Sequence, residues 1–188
     1  MSGDVLIIGS GPSLTRADCD TLKKRVPTIA INNAVFFAPW ADYLYAGDER
    51  WWKFYLEDIS WYRGERVTHQ PFGGYRTFGR RPGFARFGGN SGHQAVQFAA
   101  ADLGADRIIL LGFDHKYLNP YKKTQVTHFH GDHPKPLGNA HHVDHWPRLM
   151  ERTARDLVRM GVSVVNITRD TALTCFDLMS LEELVEVL

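Results

Sequence analysis

An apolar run near the start of the chain constrains the fold more than any other feature. Residues 5–8 are four consecutive aliphatic side chains, and Gly9 follows them directly. Strands that are covered on both faces of a parallel sheet carry such continuous runs, whereas strands with one face in water alternate. The run is also too short for a signal-peptide core or a membrane span. Residues 4–10 are therefore predicted to form a buried strand of a parallel sheet.

Strands of this kind recur along the chain and alternate with helical segments. Apolar runs and turn residues predict strands at 28–32, 42–46, 66–69, 107–112 and 162–167. Helical periodicity predicts helices at 95–103 and 146–160, and Ser180 is expected to cap a last short helix. Strands and helices in alternation form a mostly parallel sheet flanked by helices. Because 188 residues suit one core, we expect a single Rossmann-like α/β domain over residues 1–188.

Two segments lack a regular pattern. Residues 49–88 are rich in Trp, Tyr, Arg and Gly, and residues 116–145 are polar and rich in histidine. We expect the first to be an irregular lid insertion over the sheet, and the second to be a loop over the site.

The overall charge argues against nonspecific binding to nucleic acids. Lys and Arg number 22 and Asp and Glu 21, so the net charge of +1 provides no general attraction to nucleic acids. A local patch formed by Arg76, Arg80, Arg81 and Arg86 could still contact phosphates or a polyanionic acceptor, or could be a solvated loop.

The cysteine content favours a reducing compartment. Cys19 and Cys175 are too few for a disulfide framework and form no CxxC pair. We therefore expect a cytoplasmic protein without a membrane span.

A general rule for parallel sheets predicts where a ligand would bind. In open α/β sheets, ligands lie outside the carboxyl ends of the strands. The predicted strands bring small and polar residues from distant parts of the chain to that edge. This predicted nucleotide-binding set comprises Gly9, Ser10, Gly11, Ser13, Asn32, Asn33, Asp48, Asn90, Ser91, Gly92, Asp114 and His115.

Two loops in this set have features of phosphate-binding loops. Residues 9–13 (Gly-Ser-Gly-Pro-Ser) follow a strand and precede a helical segment, where backbone amides can approach an anion. The loop matches neither GxGxxG nor the P-loop pattern, which argues against a standard nicotinamide site and against ordinary ATP hydrolysis. Residues 89–92 (Gly-Asn-Ser-Gly) offer a second helix start, with Ser91 and Gln94 in capping-box spacing. Either loop could instead be a purely structural turn or cap.

Histidines are unusually dense in the second irregular segment. Imidazole titrates near neutral pH, so one of these histidines could accept a proton from an attacking hydroxyl. The sequence 128–133 (His-Phe-His-Gly-Asp-His) could also supply metal ligands with Asp132, although it matches no closed zinc spacing. We expect a general acid or base here, and the sequence does not decide whether a metal ion binds as well. The six histidines are His128, His130, His133, His141, His142 and His145.

The order of these motifs resembles that of a known group of enzymes. Residues 9–14 (Gly-Ser-Gly-Pro-Ser-Leu), 31–33 (Ile-Asn-Asn), 90–92 (Asn-Ser-Gly) and 111–114 (Leu-Gly-Phe-Asp) precede a histidine-rich segment. This order resembles the bacterial lipooligosaccharide sialyltransferases, and equally the related family that includes archaeal 6-hydroxymethylpterin diphosphokinase. The resemblance spans most of the chain through short motifs, so it is a likeness of fold with partial support at the site.

The sialyltransferase resemblance implies a glycosyltransferase with a nucleotide-sugar donor and no obligatory metal. It implies that the two loops, with Asn32 and Asp114, hold the donor. Ser10 stands where those enzymes carry asparagine, so the donor's base and sugar stay unassigned. The histidine base it implies would be one of His130, His133, His141 and His142.

Two alternatives remain open. The diphosphokinase resemblance implies a magnesium-dependent enzyme acting on a pterin-like or other small hydroxyl substrate, with Asp48, Asp114 and Asp132 as candidate ligands. The chain could also be a non-enzymatic module that binds a nucleotide. The acceptor could be a glycan, a small molecule or a nucleic acid, and the aromatic residues near 36–62 could cover a subunit interface as easily as a ligand.

Overall fold

One eight-stranded sheet in which every strand pairs in parallel forms the centre of the computed structural model. The structure describes residues 3–116, 128–137 and 145–188. The strand order is β5-β4-β3-β2-β1-β6-β7-β8, with helices flanking the sheet. The predicted α/β fold with a parallel sheet is confirmed.

The elements follow one another as strand, helix, strand along most of the chain. The strands are β1 (Asp4–Ile8), β2 (Thr28–Ile31), β3 (Tyr43–Ala46), β4 (Glu65–Thr68), β5 (Arg76–Thr77), β6 (Arg107–Leu111), β7 (Ser163–Asn166) and β8 (Asp177–Leu178). The helices are α1 (Arg16–Thr21), α2 (Glu49–Tyr55), α3 (Ser91–Ala101), α4 (Trp146–Met160) and α5 (Leu181–Val187). A 3-10 helix at Asn32–Phe36 follows β2.

The apolar runs are buried on both faces of the sheet, as their continuity predicts. Every residue of β1 is buried, and alternate side chains enter two different clusters: Leu6 and Ile8 on one face, Val5 and Ile7 on the other. A polar residue in a strand that is covered on both faces needs a hydrogen-bond or ion-pair partner. The one charged residue of β1, Asp4, is paired with Arg107 at the start of β6.

Part of the segment 49–88 extends the sheet. It contributes α2, β4 and β5, and β4 pairs with β3 along its whole length. Several of its aromatic residues are core, although Phe54 and Trp61 are exposed. Trp52 is fully buried and donates from Nε1 to the carbonyl of Ala46 at 2.9 Å. The irregular lid expected at 49–88 is therefore not confirmed. Most of the second irregular segment, at 117–127 and 138–144, lies outside the described residues.

Helix α4 has the predicted bounds. Val158, near its end, is 76% exposed. The buried residues are Met150, Thr153, Ala154, Asp156 and Leu157. Asp156 is buried because its carboxylate accepts a hydrogen bond from the backbone N–H of Ala85 at 2.9 Å.

Within the described ranges, no helix combines the length and apolar character that crossing a membrane requires.

A buried histidine in α3 makes stability depend on pH. His93 is fully buried, and burial lowers its pKa from 6.5 to about 4. Between those values the unfolded chain binds the proton and the folded chain does not, so stability rises with pH across this window and falls as pH drops. Across the window His93 accounts for about 3 kcal/mol. Unfolding in urea from pH 4 to 7 should show a smaller pH slope for His93→Gln than for the wild type. Equal slopes would contradict this assignment.

Candidate functional site

The carboxyl ends of all eight strands lie at one edge of the sheet because all the strands are parallel. We call this the carboxyl edge. From β1 the chain moves to β2 on one side, and from β6 it moves to β7 on the other side. β1 and β6 are neighbours, so the topological switch point, where ligands of open α/β sheets bind, lies between them.

The loops that follow β1 and β6 are in direct backbone contact at this switch point. The N–H of Gly9 donates to Leu111 O at 2.8 Å, and the N–H of Gly11 donates to Gly112 O at 2.9 Å. A Cβ on Gly11 would lie 1.8 Å from Oδ1 of Asp114 and 2.7 Å from the oxygen of Gly112. Glycine at position 11 is therefore a steric requirement of this contact.

Asp114 holds the loop after β1 from the opposite side. Its Oδ2 accepts a hydrogen bond from the N–H of Ser13 at 3.0 Å, and its side chain is buried. Burial raises the pKa of Asp114, against the opposing effect of the hydrogen bonds from Ser13. Among the described residues, Oδ1 of Asp114 has no hydrogen-bond partner. This buried oxygen is a polar group with spare capacity at the switch point.

The first loop has fewer free amides than we expected from the sequence. Gly11 and Ser13 already donate their N–H groups to Gly112 and Asp114. Helix α1 begins only at Arg16, is capped by Thr15, and has six residues. A phosphate at this loop would therefore be held by side chains and neighbouring loops more than by a helix terminus.

Two non-glycine residues with positive φ flank β1 at the carboxyl edge. Asn32, at the end of β2, has φ 49, and His115, beyond β6, has φ 47. Such backbone conformations cost free energy in residues other than glycine and concentrate at functional sites. Ser10 lies between them, and its Oγ donates to Ile31 O at 3.2 Å. The strain thus borders the same switch point.

Asn33 has a structural role, through hydrogen bonds to two residues of α2. It is buried, its Nδ2 donates to the Tyr55 hydroxyl at 3.0 Å, and its Oδ1 accepts from Trp51 Nε1 at 2.7 Å. With these bonds it fixes α2 against the 3-10 helix. Its neighbour Asn32 is half-buried at the edge.

Asp48 is exposed at the start of α2. It caps this helix by accepting from the N–H of Arg50 at 2.9 Å, and it forms an ion pair with the Arg50 side chain.

The second loop differs from the expected capping box. Asn90, with an extended backbone at φ −150 and ψ 169, is the N-cap of α3 and accepts from the N–H of His93 at 3.0 Å. Ser91 is the first helical residue, and its Oγ accepts from the N–H of Gly47 at 3.0 Å, joining α3 to the end of β3. Gln94 donates to Gly88 O and so does not reach back to Ser91. Assigning the cap to Ser91 was wrong because a cap needs the extended backbone that Asn90 has.

Three histidines form a compact triangle beside the first loop. The ring centroids of His128 and His130 are 5.0 Å apart, those of His128 and His133 are 4.8 Å apart, and those of His130 and His133 are 4.9 Å apart. Each histidine offers one ring nitrogen, and these three nitrogens all lie within 4.8 Å of one another. We call His128, His130 and His133 the histidine triangle. The segment is a turn through Gly131, which has φ 79.

Phe129 anchors the triangle to the sheet. Its N–H donates to Ser10 O at 3.1 Å, and its ring packs on Phe37 with centroids 4.1 Å apart. Because Phe129 faces the core, the rings of His128 and His130 stack on each other, with an angle of 9° between their planes. The triangle is therefore held next to the loop after β1.

Burial makes the triangle neutral at physiological pH. It lowers the pKa of His128 to about 3 and that of His130 to about 4, and each histidine's neighbours in the triangle add to the effect. Burial also lowers the pKa of His133, but the charges of Asp132 and Asp48 oppose it. His115 is affected in the same way, with a pKa of about 3. Neutral imidazole nitrogens are the form that accepts a proton or binds a metal ion.

The remaining predicted residues are placed as follows. His141 and His142 lie outside the described residues. Asp48, Asp114 and Asp132 do not form a common cluster: within the described ranges, the metal-type grouping consists of the histidine triangle alone. The structure therefore does not bring the three carboxylates together as magnesium ligands.

The arginine patch is divided between structural and exposed side chains. Arg76 and Arg81 both form ion pairs with Asp102 in α3, at 3.0 and 2.7 Å. Arg80 and Arg86 are exposed. The patch thus ties the β5 region to α3, and two of its four cations face solvent.

Sequence reasoning missed the contacts that position this site. Nothing in the spacing of Phe129 or Gly112 identifies them as partners of the loop after β1. His128 belongs to the histidine-rich run but is not one of the four base candidates that the resemblance implies. The spacing His-x-His-x-x-His was the available signal for it.

A scan against protein-family models and a search of curated proteins both find no match to this chain.

Proposed function

We propose that the chain is a transferase that binds a nucleotide-activated donor, of the nucleotide-sugar class, at the carboxyl edge. The observation that carries the proposal is the histidine triangle, held by Phe129 and Ser10 against the switch point between β1 and β6. A group that can accept a proton thus stands next to the place where ligands of open α/β sheets bind.

Several features of the carboxyl edge suit a donor with a sugar and a phosphate. The start of α3 provides backbone N–H donors, and Asn32 provides an amide side chain at a strained position. Asp114 contributes a buried carboxylate oxygen with unused acceptor capacity, which suits a sugar or ribose hydroxyl. The motif order shared with the lipooligosaccharide sialyltransferases supports the same donor class.

The proposed reaction is a substitution at the anomeric carbon of the donor sugar. The acceptor hydroxyl oxygen forms a bond to that carbon while the bond from the carbon to the phosphate oxygen breaks. The electron pair of the broken bond leaves with the nucleotide phosphate, and the hydroxyl proton is taken up at the histidine triangle. No electron transfer is involved, and the proton taken up by the histidine balances the negative charge that the departing phosphate gains.

The donor class can be tested by thermal unfolding. A ligand that binds only the folded chain raises its melting temperature by mass action. We expect a nucleotide sugar, or the nucleotide it releases, to stabilise the chain in magnesium-free buffer. At 100 times Kd the gain is about 3 kcal/mol, a shift of several degrees for a chain of this size.

The same measurement separates the alternatives. If ATP stabilises the chain only when magnesium is present, a diphosphokinase function would replace this proposal. Absence of stabilisation by every nucleotide and nucleotide sugar, with or without magnesium, would overturn nucleotide binding altogether.

A further inference from the structure

We infer that the histidine triangle binds one divalent transition-metal ion of the zinc class, through one ring nitrogen from each of His128, His130 and His133. Metal binding itself does not depend on the proposed function. The catalytic part assigned to the ion below rests on that function.

The geometry of the triangle is close to that of a three-histidine metal site. Its ligand nitrogens already lie within 4.8 Å of one another. Three nitrogens around a tetrahedral zinc ion at 2.0–2.1 Å lie roughly 3.3 Å apart, so each pair has to close by about 1.5 Å at most. Rotation of the imidazole rings supplies movements of this size without any change in the backbone that Phe129 and Gly131 hold.

The chemistry of the triangle selects the metal. Three neutral imidazoles suit zinc, cobalt, nickel and copper, whereas magnesium and calcium take carboxylate, carbonyl and water oxygens. The carboxylate of Asp132 acts electrostatically on its neighbour His133, and this negative charge beside the triangle favours a cation. Ni2+ or Co2+ can therefore replace Zn2+ as probes, and Mg2+ cannot.

Three protein ligands leave a coordination position open. Catalytic zinc sites share this arrangement, with water in the open position, whereas structural sites close all four positions with protein ligands. Because Phe129 N donates to Ser10 O, the triangle borders the loop proposed to contact the donor. The open position would thus be available to water or to the acceptor hydroxyl.

An ion at this position would strengthen the proton acceptor of the proposed reaction. Zinc lowers the pKa of its bound water to about 7, which places a proton acceptor near neutral pH. His128, His130 and His133 would hold the ion so that its bound water could act as the proton acceptor, and the oxidation state of the ion would not change.

The test uses the full-length chain after removal of metals with a chelator, in the absence of any nucleotide. Calorimetric titration with Zn2+ should show one site per chain, and Mg2+ should show none. His128→Ala and His130→Ala should each weaken Zn2+ binding by about 100-fold or more, since even loss of a second-shell partner costs 10- to 100-fold. The matched control is His69→Gln, because His69 follows β4, which β3 and β2 separate from β1. Its affinity should equal that of the wild type.

X-ray absorption on the wild-type chain loaded with Zn2+ keeps the test decisive if either variant fails to fold. It should show imidazole nitrogens at about 2.0–2.1 Å. Zn2+ affinity that is absent in the wild type, or unchanged in both folded variants, would overturn the inference, and so would a first shell without imidazole. Donor binding with no zinc site would leave the proposed function standing and remove this inference. A zinc site with no nucleotide binding would leave this inference standing and overturn the proposed function.

Discussion

Replacing His130 with alanine is expected to lower turnover by about 100-fold or more while leaving donor affinity nearly unchanged. General acid–base groups contribute 10²- to 10⁴-fold to rates, and the hydrogen bonds to the Ser10 backbone that hold the triangle beside the loop after β1 come from His128 and Phe129. The loss follows whether His130 accepts the proton itself or holds the ion that does so. Single-turnover kinetics for the rate and calorimetry for donor binding would separate the two quantities.

The control for this experiment is again His69→Gln, which should retain wild-type turnover. A His130→Ala variant that binds the donor much more weakly but turns over bound donor at the wild-type rate would contradict the assignment. His130 would then be a donor-binding residue.

Gly11→Ala is expected to destabilise the chain by about 3 kcal/mol, at the upper end of typical overpacking effects. The new Cβ would lie 1.8 Å from Oδ1 of Asp114 and 2.7 Å from the oxygen of Gly112. Asp114 is buried and fixed by Ser13, and Gly112 is backbone, so neither atom can move away easily. Urea unfolding measures the change, and donor binding should be lost along with the contact between the loops.

Gly79 provides a matched glycine for comparison. Among the described residues, no atom lies within 4 Å of a Cβ at position 79, so Gly79→Ala should change stability by no more than about 0.5 kcal/mol. If Gly11→Ala were as stable as Gly79→Ala and still bound the donor, the loops after β1 and β6 would not be in the tight contact described here.

The buried strands could be predicted because their pattern depends on burial alone. Residues 5–8 and 108–111 are continuous apolar runs, and they form the adjacent central strands β1 and β6. β5 and β8 have two residues each, which is too short for any periodicity to be detected. They exist because β4 and β7 offer edges with which they pair.

Helix α2 shows how tertiary contacts override local pattern. Its segment contains Trp51, Trp52 and Tyr55, and the run of aromatic residues suggested a lid. Asn33, 18 residues before Trp51, accepts from that indole and donates to Tyr55, which makes the segment part of the core. Polar pairs between distant residues leave no periodic signal in a sequence.

The candidate site was predictable in position more than in detail. The rule for parallel sheets identified the edge, and the histidine run identified a group that can accept a proton. Two features could not be predicted from the sequence: Ser13 already donates to Asp114, and Gly131 turns the chain so that three imidazoles meet. Both depend on side-chain and loop geometry that strand patterns do not encode.

The most direct test of the proposed transfer is to follow the nucleotide sugar that stabilises the chain most strongly, by phosphorus NMR, with candidate acceptors present. The account predicts that the wild-type chain breaks the bond between sugar and phosphate and releases free nucleotide, and that His130→Ala does so at least about 100-fold more slowly. Recovery of the donor intact after long incubation with every acceptor class would contradict it, and the chain would then be a nucleotide-binding module.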